Sequence, residues 1–191
     1  MEAGASFTLE YGNRQFKVAV KDLLGAPADA IVNAANSGLS HGGGVAEQIA
    51  RYAGESFLAD SRRVIAEAGR VPLTHCVITT AGNLPYRGII HAVGPRMTET
   101  NVGKKLEATI ANAMTMADEQ RWDSIAFPAL STGIYGVPKE ICARAFGNAV
   151  PKYWKQHPES HLKVVWLCLF LKDFPIFEGV LRPAHKRTRR G

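Results

Sequence analysis

With 191 residues, 46% of them hydrophobic, the chain is long enough for one domain that buries roughly 70% of the surface its unfolded form exposes. Its longest apolar run, VVWLCLFL at 164–171, falls far short of the ~20 residues needed to cross a bilayer, and no basic-then-apolar leader opens the sequence, so no membrane partner is expected. Five of the positive charges behind the net +6 are Arg182, Lys186, Arg187, Arg189 and Arg190, in a last stretch without acids; the body is near neutral, which argues against a broad nucleic-acid-binding face.

Two strands, 6–11 and 15–20, are predicted to pair around the turn at Gly12 and Asn13, and a short apolar strand follows at 30–32. Helical spacing then runs through 45–53, where Val45, Ile49 and Ala53 share a face, and resumes after Gly54 over 57–68. Strands are expected at 76–80 and 88–93, and a helix at 102–117 with Leu106, Ile110 and Met114 in register. After a strand at 124–127, Pro138 suits the first position of a helix reaching about Trp154. The longest apolar strand, 162–170, precedes a short helix at 174–181. Apolar strands alternating with amphipathic helices predict an α/β fold, a three-layer α/β/α sandwich around a mixed central sheet. Residues 1–181 form its single domain, and 182–191 read as a disordered basic tail with weak attraction for nucleic acid or an acidic partner. Cys76, Cys142 and Cys168 are odd in number and lie in apolar segments, so reduced, buried thiols are expected in a monomeric chain of the cytoplasm, or of the nucleus in a eukaryote.

Chemistry concentrates in two loops that follow strands: NAANSGLSHGGG at 33–44 and PALSTGIYGV at 128–137. Each leads into a helix, so each is expected to aim a helix N-terminus and free backbone N–H groups at one end of the sheet, where glycine permits close approach of a phosphate. Side by side they could hold a diphosphate. The glycines satisfy neither GxGxxG nor GxxxxGK[ST], which argues against nucleotide reduction and nucleotide hydrolysis. HGGG also occurs in the oxyanion loop of esterases, and Ser131, Asp173 and His185 follow in the chain order of that fold; a serine esterase is the remote alternative. Against it, the helix after Ser131 starts only near Pro138. HPESH at 157–161 sets Pro158 between its histidines with no third ligand nearby, so neither a metal nor a cofactor is expected. His91, in an apolar strand, reads as a hydrogen-bonded core residue.

DAIVNAAN (29–36), HGGGVA (41–46), IIHAVGP (89–95) and PALSTGIYG (128–136) resemble, in order and spacing, the macrodomains, modules that recognise ADP-ribose. The resemblance covers about residues 15–180, and the HGGGVA form is similar to that of archaeal, viral and histone-linked members. It implies an ADP-ribose or mono-ADP-ribosylated protein partner and assigns roles to particular residues. Asp22, followed by Leu23, would accept from the adenine amino group; it also reads as a helix cap. Phe170 would stack on adenine; it also reads as a core residue. Gly43, Gly44 and Val45 would line one side of the diphosphate, and Ser131, Thr132, Gly133 and Ile134 the other. Tyr135 would cover the distal ribose and Asn36 hydrogen-bond to it, while Asn33 braces its own loop. The family contains binding modules and hydrolases of ADP-ribose esters or of the 1″-phosphate. Its deacetylase branch carries an aspartate where this chain has Ala46, so a general base is missing, and Glu47 points elsewhere. Slow hydrolysis assisted by Asn36 and His41 is therefore expected, with binding dominant.

Overall fold

The computed structural model describes residues 4–188. Two strands, β1 (Ser6–Tyr11) and β2 (Arg14–Val20), pair antiparallel from Tyr11↔Arg14, with the tight reversal made by Gly12 at φ +64°. A 3-10 turn at Leu23–Gly25 leads to β3 (Ala30–Ala34), then α1 (Gly44–Ala53) and α2 (Glu55–Ala68). The chain continues through β4 (Cys76–Thr79), β5 (Gly88–Ala92), α3 (Val102–Glu119), β6 (Ser124–Pro128), α4 (Lys139–Gln156), β7 (Val164–Leu169) and α5 (Phe174–Thr188).

The seven strands form one mixed sheet in the order β1-β2-β7-β6-β3-β5-β4; β1 and β4 run antiparallel at the edges and the five inner strands are parallel. Side-chain alternation along the inner strands divides the core in two. Val32, Ile90, Phe127 and Leu167 pack on α3, α4 and α5, whereas Ile31, Ile89, Ala126 and Cys168 face α1 and α2. The three-layer α/β/α sandwich is thus as predicted. All the parallel strands point their carboxyl ends the same way, and an open parallel sheet presents its ligand crevice at that end.

Asp29, from the DAIVNAAN stretch, serves the opposite end. Its Oδ2 accepts from Asp123 N at 2.9 Å, Ser124 N at 3.0 Å and Ser124 Oγ at 3.1 Å, fastening the start of β3 to the start of β6. The tail expected from residue 182 onward starts inside a helix, because α5 continues to Thr188. His185 is buried against the Tyr11 ring, with centroids 4.8 Å apart, and the Arg182 guanidinium lies 4.6 Å from the centre of Phe7. These contacts give the last helical turns a surface to pack on. Arg189, Arg190 and Gly191 lie outside the described residues.

Candidate functional site

Between Ala34, the last residue of β3, and Gly44, the first of α1, the chain is shaped by Asn36. Its Oδ1 accepts from the backbone N–H of Gly38 and of Ser40, both at 3.1 Å, and its Nδ2 donates to the carbonyl and the hydroxyl of Ser40, both at 2.8 Å. The loop-bracing role expected of Asn33 therefore belongs to Asn36. Asn33 sits within β3, fully buried, with Nδ2 3.1 Å from His91 Nδ1. His91 is equally buried, its Nε2 2.8 Å from Thr79 Oγ1, as expected of a core histidine. Burial, reinforced by the neighbouring His41, pushes its pKa down to about 3, so the ring is neutral near pH 7.

His41 departs from its expected place. Its ring lies 4.8 Å from Phe57 and 5.7 Å from His91, and its Nε2 is 3.2 Å from Ser61 Oγ. The ring is turned onto α2, where it packs on Phe57 and its Nε2 meets a hydroxyl while its buried Nδ1 has no partner among the described residues, and it does not line the cleft at the carboxyl end of the sheet. Burial lowers its pKa as well.

Gly43 and Gly44 carry the chain directly into α1, whose first N–H groups have no carbonyl a turn earlier to bond. Gly44 needs to be glycine because its φ is +60°, and a Cβ on Gly43 would touch Ile134 Cδ1 at 3.4 Å, so the two loops nearly meet across the opening. The second loop differs from expectation in one respect. α4 begins at Lys139, beyond the segment that lines the cleft, so the second loop does not bring a helix N-terminus to it as the first loop does. The loop is held by its own bonds: Thr132 Oγ1 to Ala129 O at 2.8 Å, Gly136 N to Gly133 O and Val137 N to Ser131 O, both at 3.0 Å. Ser131 occupies the left-handed region at φ +64°, unusual for a residue with a Cβ. Among the described residues its buried Oγ has no hydrogen-bond partner.

These segments enclose a cleft of about 500 Å³, the size of a small-molecule site. Asp22, Leu23, Asn36, Gly43, Gly44, Val45, Ser131, Thr132, Gly133, Ile134, Tyr135 and Phe170 all line it. At one end Asp22 accepts from Leu24 N at 3.1 Å, so it does cap the 3-10 turn, and its Oδ2 has no donor among the described residues. Phe170 is not a core residue: it is 69% exposed. At the other end stand Asn36 and Tyr135. Bare N–H groups in the middle, an aromatic and a carboxylate at one end and hydroxyl-binding side chains at the other suit an elongated ligand with a central anion.

Sequence reasoning missed several lining residues, including Lys21, Gly94 and Asp173. Gly94 lies inside the IIHAVGP stretch, and a Cβ there would collide with Ser131 Oγ, so that glycine makes room for the second loop. Asp173 is buried and ion-paired to Lys139 Nζ at 2.6 Å. The esterase arrangement does not assemble. His185 packs on Tyr11 beside the start of β2, whereas Ser131 lies at the far end of the strands, about 20 Å away by the rise of an extended chain.

A family model described as Macro domain matches residues 32–146. An O-acetyl-ADP-ribose deacetylase of Escherichia fergusonii is 42% identical over 138 residues, covering 71% of this chain and 78% of that protein. A 40% identical relative from Thermotoga maritima covers 84% of this chain, which spans only 27% of that relative's length. Among solved structures, the Oceanobacillus iheyensis macrodomain with ADP superposes at a TM-score of 0.89 with 28% identity, covering 96% of this chain and 98% of that one. The Trypanosoma brucei macrodomain in complex with ADP-ribose gives 0.75 with 27% identity, over 86% and 68%. With the sheet order, the cleft at its carboxyl end and the sequence match all agreeing, the chain belongs to the macro domain family.

Proposed function

We propose that the cleft binds ADP-ribose, free or attached to protein, and that ester-linked mono-ADP-ribose or the 1″-phosphate is hydrolysed there slowly. The observation that carries the binding reading is the convergence of two loops of bare backbone on a cleft flanked by an exposed Phe170 and Asp22 at one end and Asn36 and Tyr135 at the other. The diphosphate would lie over the N-terminus of α1 and between Gly43 and Ile134, where N–H groups and the helix dipole favour negative charge. Adenine would stack on Phe170 with its amino group toward Asp22. Calorimetric titration should give a micromolar dissociation constant, about −8 kcal/mol, with AMP much weaker. Absence of both heat and thermal stabilisation would refute the reading.

Turnover is supported by the named activity of the Escherichia fergusonii relative and by Asn36, which fixes the loop beside the distal ribose. Rate enhancement would come from positioning and from backbone donors to the charge that develops on the leaving oxygen. Two observations favour binding without turnover: Ala46 carries no base, and His41 is directed at Ser61. The discriminating measurement is release of ADP-ribose from a protein modified on acidic side chains, over hours at high enzyme concentration. Release that Asn36→Ala removes and His41→Ala spares supports slow hydrolysis; no release leaves a reader.

A further inference from the structure

Beyond the distal end of the cleft lies a second groove of about 470 Å³ that shares Asn36, Ser40, Gly94 and Tyr135 with it. Two arginines wall this groove, and both are held in place. Arg70 Nη2 donates to Ser37 Oγ at 2.9 Å while the next residue, Val71, donates its N–H to Ser37 O at 2.8 Å. On the facing side, the Arg96 guanidinium sits 4.6 Å from the centre of the Tyr135 ring, and the following Met97 N–H donates to Tyr135 O at 2.9 Å. Leu73 and the edge of the largely buried Val93 also line it. Glu99 is the acidic residue among the described residues that line the groove, and its carboxylate is paired to Lys105 Nζ at 2.8 Å. The groove therefore presents two guanidinium groups that have no carboxylate partner among the described residues.

A chain whose body is near neutral has no general need for this arrangement. Its position has a direct consequence: anything attached to the far side of a ribose lying beside Asn36 and Tyr135 would leave through this opening. From the groove's continuity with the cleft and its charge, and resting on the binding reading above, we infer that it receives the acidic polypeptide segment flanking an ADP-ribosylated residue. Arg70 and Arg96 would pair with carboxylates on either side of the modified residue, and Leu73 and Val93 would take an intervening apolar side chain. Guanidinium groups suit carboxylates because their donors form a fixed fork. The groove thus makes the domain selective among modified proteins without adding to its affinity for free ADP-ribose.

The test compares four probes by calorimetry at low and high salt: free ADP-ribose, ADP-ribose 1″-phosphate, a peptide carrying ADP-ribose through a hydrolysis-resistant linkage between flanking glutamates, and the same peptide with flanking lysines. The glutamate conjugate should bind about tenfold more tightly than the lysine conjugate at low salt, and the difference should shrink at high salt as exposed pairs are screened. Arg70→Glu, which leaves Arg96 and Tyr135 untouched, should abolish that preference and keep affinity for free ADP-ribose within about twofold. Free ADP-ribose that fails to bind the parent protein overturns the binding reading itself. Free ADP-ribose that binds while both conjugates bind alike overturns only the groove's role. An Arg70-dependent advantage for ADP-ribose 1″-phosphate, with none for the acidic peptide, would make the groove a phosphate site and overturn the polypeptide assignment.

Discussion

Removing the Phe170 ring separates a binding surface from a structural one. The residue is 69% exposed at the end of β7, so Phe170→Ala deletes little buried surface and should leave the melting temperature within a degree or two. Its effect on ligand affinity is a different matter. A phenylalanine carries ~200 Å² of buriable surface, so about 140 Å² is open here, and a base laid on one face would cover roughly half of that. At ~25 cal/mol per Å² this is about 1.8 kcal/mol, and the geometry-specific part of aromatic stacking adds ~0.5–1.5 kcal/mol. The total, about 2–3 kcal/mol, agrees with the range measured for base–aromatic stacking and corresponds to a loss of roughly 30- to 150-fold in affinity for ADP-ribose. Isothermal titration calorimetry of Phe170→Ala and Phe170→Tyr, with melting curves of both, measures it; tyrosine should retain most of the affinity. An alanine variant that binds within twofold of the parent, or that melts several degrees lower, would refute the assignment of this ring as an adenine platform.

Asp22→Ala should weaken ADP-ribose by about 1–3 kcal/mol, the scale of a hydrogen bond to a charged group, and the loss should disappear with the hypoxanthine analogue, which presents a carbonyl at that position; equal losses for both bases would leave Asp22 as a cap alone. Gly94→Ala should lower both melting temperature and affinity because its Cβ meets Ser131 Oγ, and adding Ser131→Ala should restore much of the stability, since the Cβ of residue 131 lies 3.7 Å away; a double variant no more stable than Gly94→Ala would refute the clash. Burial holds the His91 pKa in the fold at about 3 against an ordinary value of 6.5, so below pH 6.5 the unfolded chain binds the extra proton and stability should fall steadily as pH drops toward 3, with no contribution above 6.5. Melting curves from pH 7.5 to 4.5 should show a slope that His91→Gln reduces; parallel profiles for parent and variant would remove His91 as its source. Asp29→Ala should destabilise the domain by a few kcal/mol through three lost hydrogen bonds while ADP-ribose affinity holds, because those bonds lie at the opposite end of β3 from the cleft; lost affinity in a folded variant would contradict the division of labour.

The order of strands and helices and the two glycine loops could be read from the chain directly, because periodicity and turn chemistry are properties of neighbouring residues. Ile31 and Val32 alternate between faces, Ile49 and Ala53 share one, and no partner needs to be known to see it. Those loops also put most of the cleft in view, since bare backbone between a strand and a helix has few other uses. The tertiary structure decided which way individual polar side chains turn. Asn33 and Asn36 are the same residue three positions apart, yet one is buried on His91 and the other ties its loop together, because β3 ends between them. His41 is drawn to Phe57 and Ser61 on a helix twenty residues on, which no local pattern discloses. Phe170 follows six residues of β7 that are buried or half-buried, but it lies one step past the strand, where the sheet no longer covers it. Local sequence determines the shape each segment can take; the direction a side chain faces depends on the surface that other segments bring to it, and that surface exists only once the chain has folded.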